Sequence, residues 1–515
     1  MATQVNVQPG HGKGGRQPTL QFLDSLSGHD DPGMFGRMFP NLDPLIVDDD
    51  ALRELAAAMK DPDPGSANGN NPKIPAGFTY LGQFVDHDIT LDLTSFGEKE
   101  SDPTAVENFR TPALDLDSIY GLGPDGSRQL YARNPSDTSG KTPGPKLLLG
   151  KTISVPFGGV TITPRNDLPR NPEGFALIGD HRNDENLAVA QTHLAMLKFH
   201  NKVCDHLATS GVPAGEIFQQ ARQMVTWHYQ WMVLHDFVER VTEKGIVNRI
   251  VEQGRRFYRF KKWPYMPVEF SAAAYRFGHS MVREVYSHNR IFTPGQPVPA
   301  SLHLLFEFTG LSGQIIGDLA PNPPTGPLPV PVLSSNWIID WRRYHEVLAN
   351  NPADVPRNAS RKIDPFLIPQ LHELPGGGEP LSFRNLKRGA LLGLPSGQDV
   401  ARAMRIKNPL TPDEIAKGSD GAIAKKHGLH QYTPLWYYIL KEAEQRGGGE
   451  KLGPVGSTIV AEVFVGLVQG DRQSYLGKNK NWKPTLPSKN PGEFTMADLL
   501  RFVGDISPID EISTV

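Results

Sequence analysis

Gln83-Phe84-Val85-Asp86-His87-Asp88 sets an imidazole between two carboxylates. Leu81, Phe84 and Val85 recur at helical spacing through Phe78–Leu91, so the cluster reads as helical. Successive residues on a helix point about 100° apart, so Asp86, His87 and Asp88 face three directions and cannot share one packing role. Burying all three is costly unless each meets its own partner. A solvated turn of an amphipathic helix would need no such partners. The rest of the chain therefore has to be searched for them.

The chain around this segment reads as mainly α. Helices are expected near Asp49–Lys60 and over Asp184–Ala208, Ala214–Val241, Val268–Val285, Leu386–Arg405 and Pro454–Gly470. Leu187, Ala190, Leu194, Leu197 and Cys204 form one stripe of the second of these, with Asp184 and Glu185 expected in its first turn. Thr152–Pro156 is the clearest of few strand candidates. The chain has 51 glycines and 46 prolines, which implies long ordered loops. Residues 1–75 read as an irregular N-terminal extension and 76–515 as one large helical domain with very little β structure.

Composition removes several functions. A net charge of −3 does not favour binding nucleic acid or an anionic membrane by electrostatics. The longest apolar run, Ser457–Val468, contains Glu462 and is too short to span a bilayer. Cys204 is the single cysteine, so no intrachain disulfide forms. Met1–Gln17 is polar and does not read as a signal peptide, which suits a cytoplasmic or non-classically exported protein. Oligomeric state is left open.

Two motifs are distractions. Gly121-Leu122-Gly123-Pro124-Asp125-Gly126 matches a dinucleotide fingerprint but lacks a preceding strand, and reads as a turn. Gly278-His279-Ser280-Met281-Val282 resembles a nucleophile elbow without its last glycine. The seven-residue spacings His193/His200 and His228/His235 read as buried, hydrogen-bonded histidines.

Two other segments carry chemistry. Thr111-Pro112-Ala113-Leu114-Asp115-Leu116-Asp117 offers carboxylates, a hydroxyl and loop carbonyls to a hard cation, and Asp88 adds another carboxylate; calcium is the natural candidate. His279 follows Gly278, which leaves room for a flat macrocycle, and Arg276 could meet a propionate.

Together with Arg182-Asn183-Asp184-Glu185 and Asn385-Leu386-Lys387-Arg388, these segments resemble the animal-type haem peroxidases of the peroxidase–cyclooxygenase superfamily. The resemblance runs from about Phe78 to about Leu476, with five motifs in the family's order. It implies a peroxidase that reduces H2O2 and oxidises bromide, iodide, thiocyanate or phenols through a ferryl intermediate, in a chain resembling the simpler, bacterial-type members. It also implies a role for each matching residue. His87 is the distal base, Arg182 the distal cation, and Gln83 lies near the distal water and halide site. His279 ligates the iron of haem b, with Asn385 on its Nδ1, and Arg276 and Arg388 meet the propionates. Asp86 and Glu185 match the carboxylates that form haem esters. Asp88, Thr111, Ala113 (through its carbonyl), Asp115 and Asp117 would hold calcium; many members carry Ser where Asp117 stands.

Asn186 stands where the most strongly oxidising relative has Met, which removes the sulfonium link and puts chloride oxidation in doubt. Fatty-acid oxygenases of the superfamily carry a radical-forming Tyr three residues before the proximal His. Arg276 stands there in this chain, and Tyr275 is expected to face elsewhere. The rival readings are such an oxygenase, and a binding protein that keeps the fold without turnover.

Overall fold

A computed structural model describes residues 35–91, 110–154, 166–312, 315, 332–374 and 377–512. Helices dominate, and the described strands pair only into four two-stranded ribbons. Among the described residues no helix is long and apolar enough to cross a membrane.

The helix carrying the opening cluster spans Gly77–Ile89. Its start is crowded: a Cβ on Gly77 would lie 2.2 Å from His345 Nε2 and 2.5 Å from the Tyr344 carbonyl, so only glycine fits. Leu81, Phe84 and Val85 are fully buried. This helix packs on Leu187–Thr209, which in turn packs on Ile217–Met232 and Met496–Val503. Ile217–Met232 continues through a π-helical stretch, Val233–Val238, which presents Phe237 to the central cavity. Pro454–Gly470 is apolar around its whole circumference and lies in the core. Its one carboxylate, Glu462, accepts the backbone N–H groups of Arg256, Phe257 and Tyr258 at 2.7–2.8 Å.

Some expected elements differ. The helix expected from Asp184 begins at Leu187, because the Asn186 side chain caps it by accepting the Val189 N–H at 2.9 Å. Asp184 therefore lies ahead of it and pairs with Arg170. The helix expected over Val268–Val285 is a short turn, Val268–Ser271, then a 3₁₀ segment, Ala274–Met281; Val285 is in a strand with Tyr286. The tighter winding stacks Arg276 and His279, three apart, on one side. Leu386–Arg405 divides into Leu381–Leu391 and Gly397–Ala403, since Gly393 takes φ +58° and Pro395 follows. Ile153 makes one isolated bridge to Ser334, while Val155 and Pro156 lie outside the described residues. Gly123–Gly126, expected as a plain turn, forms a single helical turn with Pro124 near its start.

Within the extension expected to be irregular over 1–75, Phe35 onward joins the core. Asp49–Ala58 buries Leu52 and Leu55 against Leu381–Leu391, and Asn70–Pro75 pairs with Ala359–Arg361. Phe35–Gly36 pairs with Met266–Pro267, and fully buried Glu269 accepts the Met38 and Phe39 N–H groups at 3.0 and 3.1 Å. Removing that carboxylate strands two buried donors. Glu269→Ala is therefore expected to lower the unfolding free energy by about 2 kcal/mol or more in urea titration; a change within about 0.5 kcal/mol would contradict this anchoring role.

Candidate active site

A cavity of about 410 Å³ opens at the centre of the bundle. The Gly77–Ile89 helix and the Arg182–Asn186 turn form one wall, and the 3₁₀ segment Ala274–Met281 forms another. It brings together Gln83, Asp86, His87, Arg182, Glu185, Arg276, His279 and Arg388. Asn385 stands behind His279, and Asp88, Asp115 and Asp117 gather elsewhere, on the far side of His87's helix.

His87 is buried, with Nδ1 2.9 Å from Asn183 Oδ1. Burial, aided by the Arg182 cation, pushes its pKa down to about 4, so the ring is neutral near pH 7. The Arg182 guanidinium is anchored through Nη2, which donates to the His87 and Thr90 carbonyls at 3.0 and 2.7 Å and to Asp180 at 2.8 Å. Its Nε donates to Asp180 as well. Carbonyls at a helix C-terminus suit a cation. Nη1 makes no protein hydrogen bond among the described residues, and Arg182 lines the cavity.

Asp180 is shared by two guanidinium groups, since Arg110 also pairs with it. Burial opposes its ionisation, but Arg110 and Arg182 override that and hold its carboxyl well below the usual range. Arg110 reaches on to Asp117 at 2.7 Å.

Glu185 faces the cavity with Gln83 Nε2 on its Oε1, and His87 Nε2 lies 3.8 Å away. Its side chain is partly exposed and lines the cavity, and burial raises its pKa to about 7, against the pull of Arg182. Gln83 is held at its other end by Asn186 Nδ2, 2.9 Å from Oε1. Asp86 accepts from the Thr90 hydroxyl at 3.0 Å.

Opposite, His279 Nδ1 lies 2.8 Å from the Asn385 amide nitrogen. Burial and the Arg276 cation push His279 down to about 3, leaving the neutral imidazole a metal requires. A metal at Nε2 needs the hydrogen on Nδ1, and hence Asn385 turned to present its carbonyl oxygen. A Cβ on Gly278 would meet nothing within 4 Å, so the backbone beside His279 borders open space. Leu302, Phe306, Leu371, Leu374, Leu381 and Leu392 give the cavity apolar walls, and Arg276 and Arg388 give it two cations. A flat, apolar, dianionic macrocycle with a central metal fits this donor set, and the residues present accord with haem.

Ligand atoms of Asp88, Asp115 and Asp117 lie within 4.8 Å of one another, all buried. Burial and the neighbouring Asp115 charge raise Asp88 to about 8, and burial raises Asp117 despite Arg110. Asp88 accepts the Leu116 N–H and the Ser118 hydroxyl, both at 3.3 Å. Leu116 takes φ +57°, an uncommon conformation for a branched residue, to bring that amide round. Thr111 and Ala113 lie in the same buried loop, where Ala113 N–H donates to the Thr111 carbonyl at 2.7 Å.

One expectation about the cavity needs correction. Tyr275 does not face away: it lines the cavity and donates to the Gly82 carbonyl at 3.0 Å. Asp184 is bound bidentately by Arg170 and by the Gly310 N–H, outside the cavity. Ser280 is buried and donates to the Phe277 carbonyl, as no nucleophile would. His193, His200, His228 and His235 all make hydrogen bonds within the bundle. Asp180, Asn183 and Arg110 escaped the sequence reading; Asp180 alone left a signal, the Asp-x-Arg spacing of a helix cap.

The sequence profile of the animal haem peroxidase family matches residues 83–500. A peroxidase-like protein of Margaritifera margaritifera is 27% identical over 278 residues, 43% of this chain and 33% of that protein. Dual oxidase 2 of Sus scrofa is 24% identical over 85% of this chain and 27% of its own length. The chain thus spans a third or less of each of these two longer relatives. Among solved structures, peroxidase A of Dictyostelium discoideum superposes with TM-score 0.59 at 15% identity, covering 93% of this chain and 98% of that one. A fatty acid alpha-dioxygenase of Oryza sativa gives 0.57 at 14% identity over 93% and 80%. With the family profile spanning most of its length, this chain belongs to the animal haem peroxidase family.

Proposed function

We propose that this chain is a haem peroxidase that reduces H2O2 at the expense of small donors such as bromide, iodide, thiocyanate or phenols. One observation carries the reading: a neutral imidazole and an anchored guanidinium face one side of a cavity whose other side presents a second neutral imidazole beside bare backbone. Haem held through His279 Nε2, with Arg276 and Arg388 on its propionates, would supply the electron transfer between peroxide and donor.

The chain's own residues manage protons and charge. Reduction of H2O2 to two waters takes two electrons and two protons. His87 Nε2 takes a proton from one peroxide oxygen and returns it to the other, which leaves as water. Arg182 Nη1 meets the negative charge that grows on the departing oxygen, and its other contacts keep it from reorganising as the bond breaks. Gln83, fixed between Glu185 and Asn186, adds a donor for a small anion or water. Asp86 and Glu185 are the carboxylates that would attach to the macrocycle edge.

Asp88, Asp115 and Asp117, with the Thr111 and Ala113 oxygens, would bind calcium. Four carboxylates (these three and Asp180) against Arg110 and Arg182 leave a formal charge of −2, which a divalent cation cancels. Tyr275 at the cavity wall favours one second reading, fatty-acid oxygenation on the same scaffold. Oxygen uptake with a fatty acid and no peroxide would establish it.

Haem titration of the purified protein is the direct test: a Soret band is expected with the native chain and a displaced or weakened one with His279→Ala, whereas an unchanged band in the variant would overturn the assignment. Because His87 is neutral down to about pH 4, kcat/KM for peroxide should stay level above that value and fall about tenfold per unit below it; an acid limb near 6.5 would show that burial is not felt. Calcium at about 100 times its Kd should raise the unfolding free energy by about 2.7 kcal/mol, and Asp88→Asn should abolish the gain. A melting temperature indifferent to calcium would contradict the site.

A further inference from the structure

Which nitrogen of His87 carries the hydrogen decides whether it can act as a base. An amide oxygen only accepts, so Asn183 Oδ1, 2.9 Å from His87 Nδ1, requires the hydrogen to be there and leaves Nε2 with a bare lone pair toward the cavity. Glu185, at 3.8 Å from Nε2, is too far to bind it.

The same amide continues to a third group. Asn183 Nδ2, which only donates, lies 2.9 Å from His193 Nδ1. His193 must therefore accept there and carry its hydrogen on Nε2, an atom with no hydrogen-bond partner among the described residues. His87 is 5% exposed and Asn183 and His193 not at all, so water does not compete for these bonds. The His193 ring packs against Phe84 with centroids 5.8 Å apart at 73°, which fixes it to the helix that bears His87. Turning the amide over would present NH2 to His87, move that ring's hydrogen to Nε2 and remove the base. It would also require His193 to change tautomer in the same event. The amide and the two rings are thus coupled, and none of the three can change its hydrogen arrangement without the other two.

We propose that Asn183 and His193 are positioning residues that lock His87 as the Nδ1–H tautomer, so that its Nε2 lone pair faces the peroxide proton. The inference rests on His87 being the base of the proposed function. Nothing in the two residues' positions would otherwise require an amide and an imidazole there; an apolar pair would fill the same buried space without any orientation to satisfy.

Cyanide association with the ferric holoprotein tests this without turnover, because HCN must hand its proton to a nearby base before the anion binds. Asn183→Leu should slow association by about 10²-fold, as loss of a positioned base does. His193→Leu should slow it in the same direction. Asn183→Asp, whose carboxylate still accepts from Nδ1, should keep most of the native rate. The KM for the electron donor should be unchanged in all three. His87→Leu serves as reference. If it is slow while soluble Asn183→Leu and His193→Leu keep the native rate, the relay is overturned and the proposed function stands. If His87→Leu is itself as fast as the native protein, His87 is not the base and the proposed function fails with it. Should Asn183→Leu not fold, rescue in Asn183→Asp against loss in His193→Leu decides; equal rates in those two would overturn the proposal.

Discussion

One buried carboxylate, Asp180, ties the two halves of the site together. It accepts from Arg110 on one side and from Arg182 on the other, and its own oxygen caps the Arg182 N–H. Buried ions are tolerated only when paired, and removing one partner of such a set costs about 3–5 kcal/mol because the others are left uncompensated. The Arg110–Asp180–Arg182 chain is therefore not adjustable in parts. It fixes Arg182 on the last carbonyls of the His87 helix, and it joins that arginine through Asp117 to the acidic cluster behind the helix. Gly179 makes the close approach possible: its N–H donates to the Ser118 carbonyl at 3.0 Å, and a Cβ there would lie 2.5 Å from that oxygen.

Asp86-His87-Asp88 then has a physical explanation. Three adjacent side chains on one helix diverge, and each meets a different environment: Asp86 the cavity and Thr90, His87 the cavity and Asn183, Asp88 the Leu116 amide and Ser118. That divergence allows one helix to line the cavity and to support the buried acidic cluster at once.

How much was legible in the sequence follows from range. Pro454–Gly470 and Gly77–Ile89 were readable because apolar periodicity is local and their ends carry no competing signal. The segment around His279 reads as a regular helix in sequence, since hydrophobic spacing alone does not separate 3₁₀ from α winding over eight residues. Asp184 reads as a first-turn residue because acidic side chains suit a helix N-terminus; the Asn186 cap starts the helix at Leu187 and leaves Asp184 to Arg170. Asn183 and His193 were invisible as a unit for the same reason: ten residues apart, they meet only when the 3₁₀ turn folds back on the following helix. The residues that match family motifs were legible, Asn385 beside His279 among them; the contacts that Arg110, Asp180, Asn183 and His193 make with them were not.

The fold is shared with fatty acid alpha-dioxygenases as well as peroxidases, so it does not choose between them. The proposed function rests that choice on the charge and hydrogen arrangement around the cavity, and above all on Arg182. The most direct measurement is the second-order rate constant for H2O2 with the haem-loaded protein in stopped flow, native chain against Arg182→Gln. A fall of about 10²–10³-fold, the cost of one pre-organised donor to a growing oxyanion, is the expected result. An undiminished rate would contradict peroxide cleavage at this site.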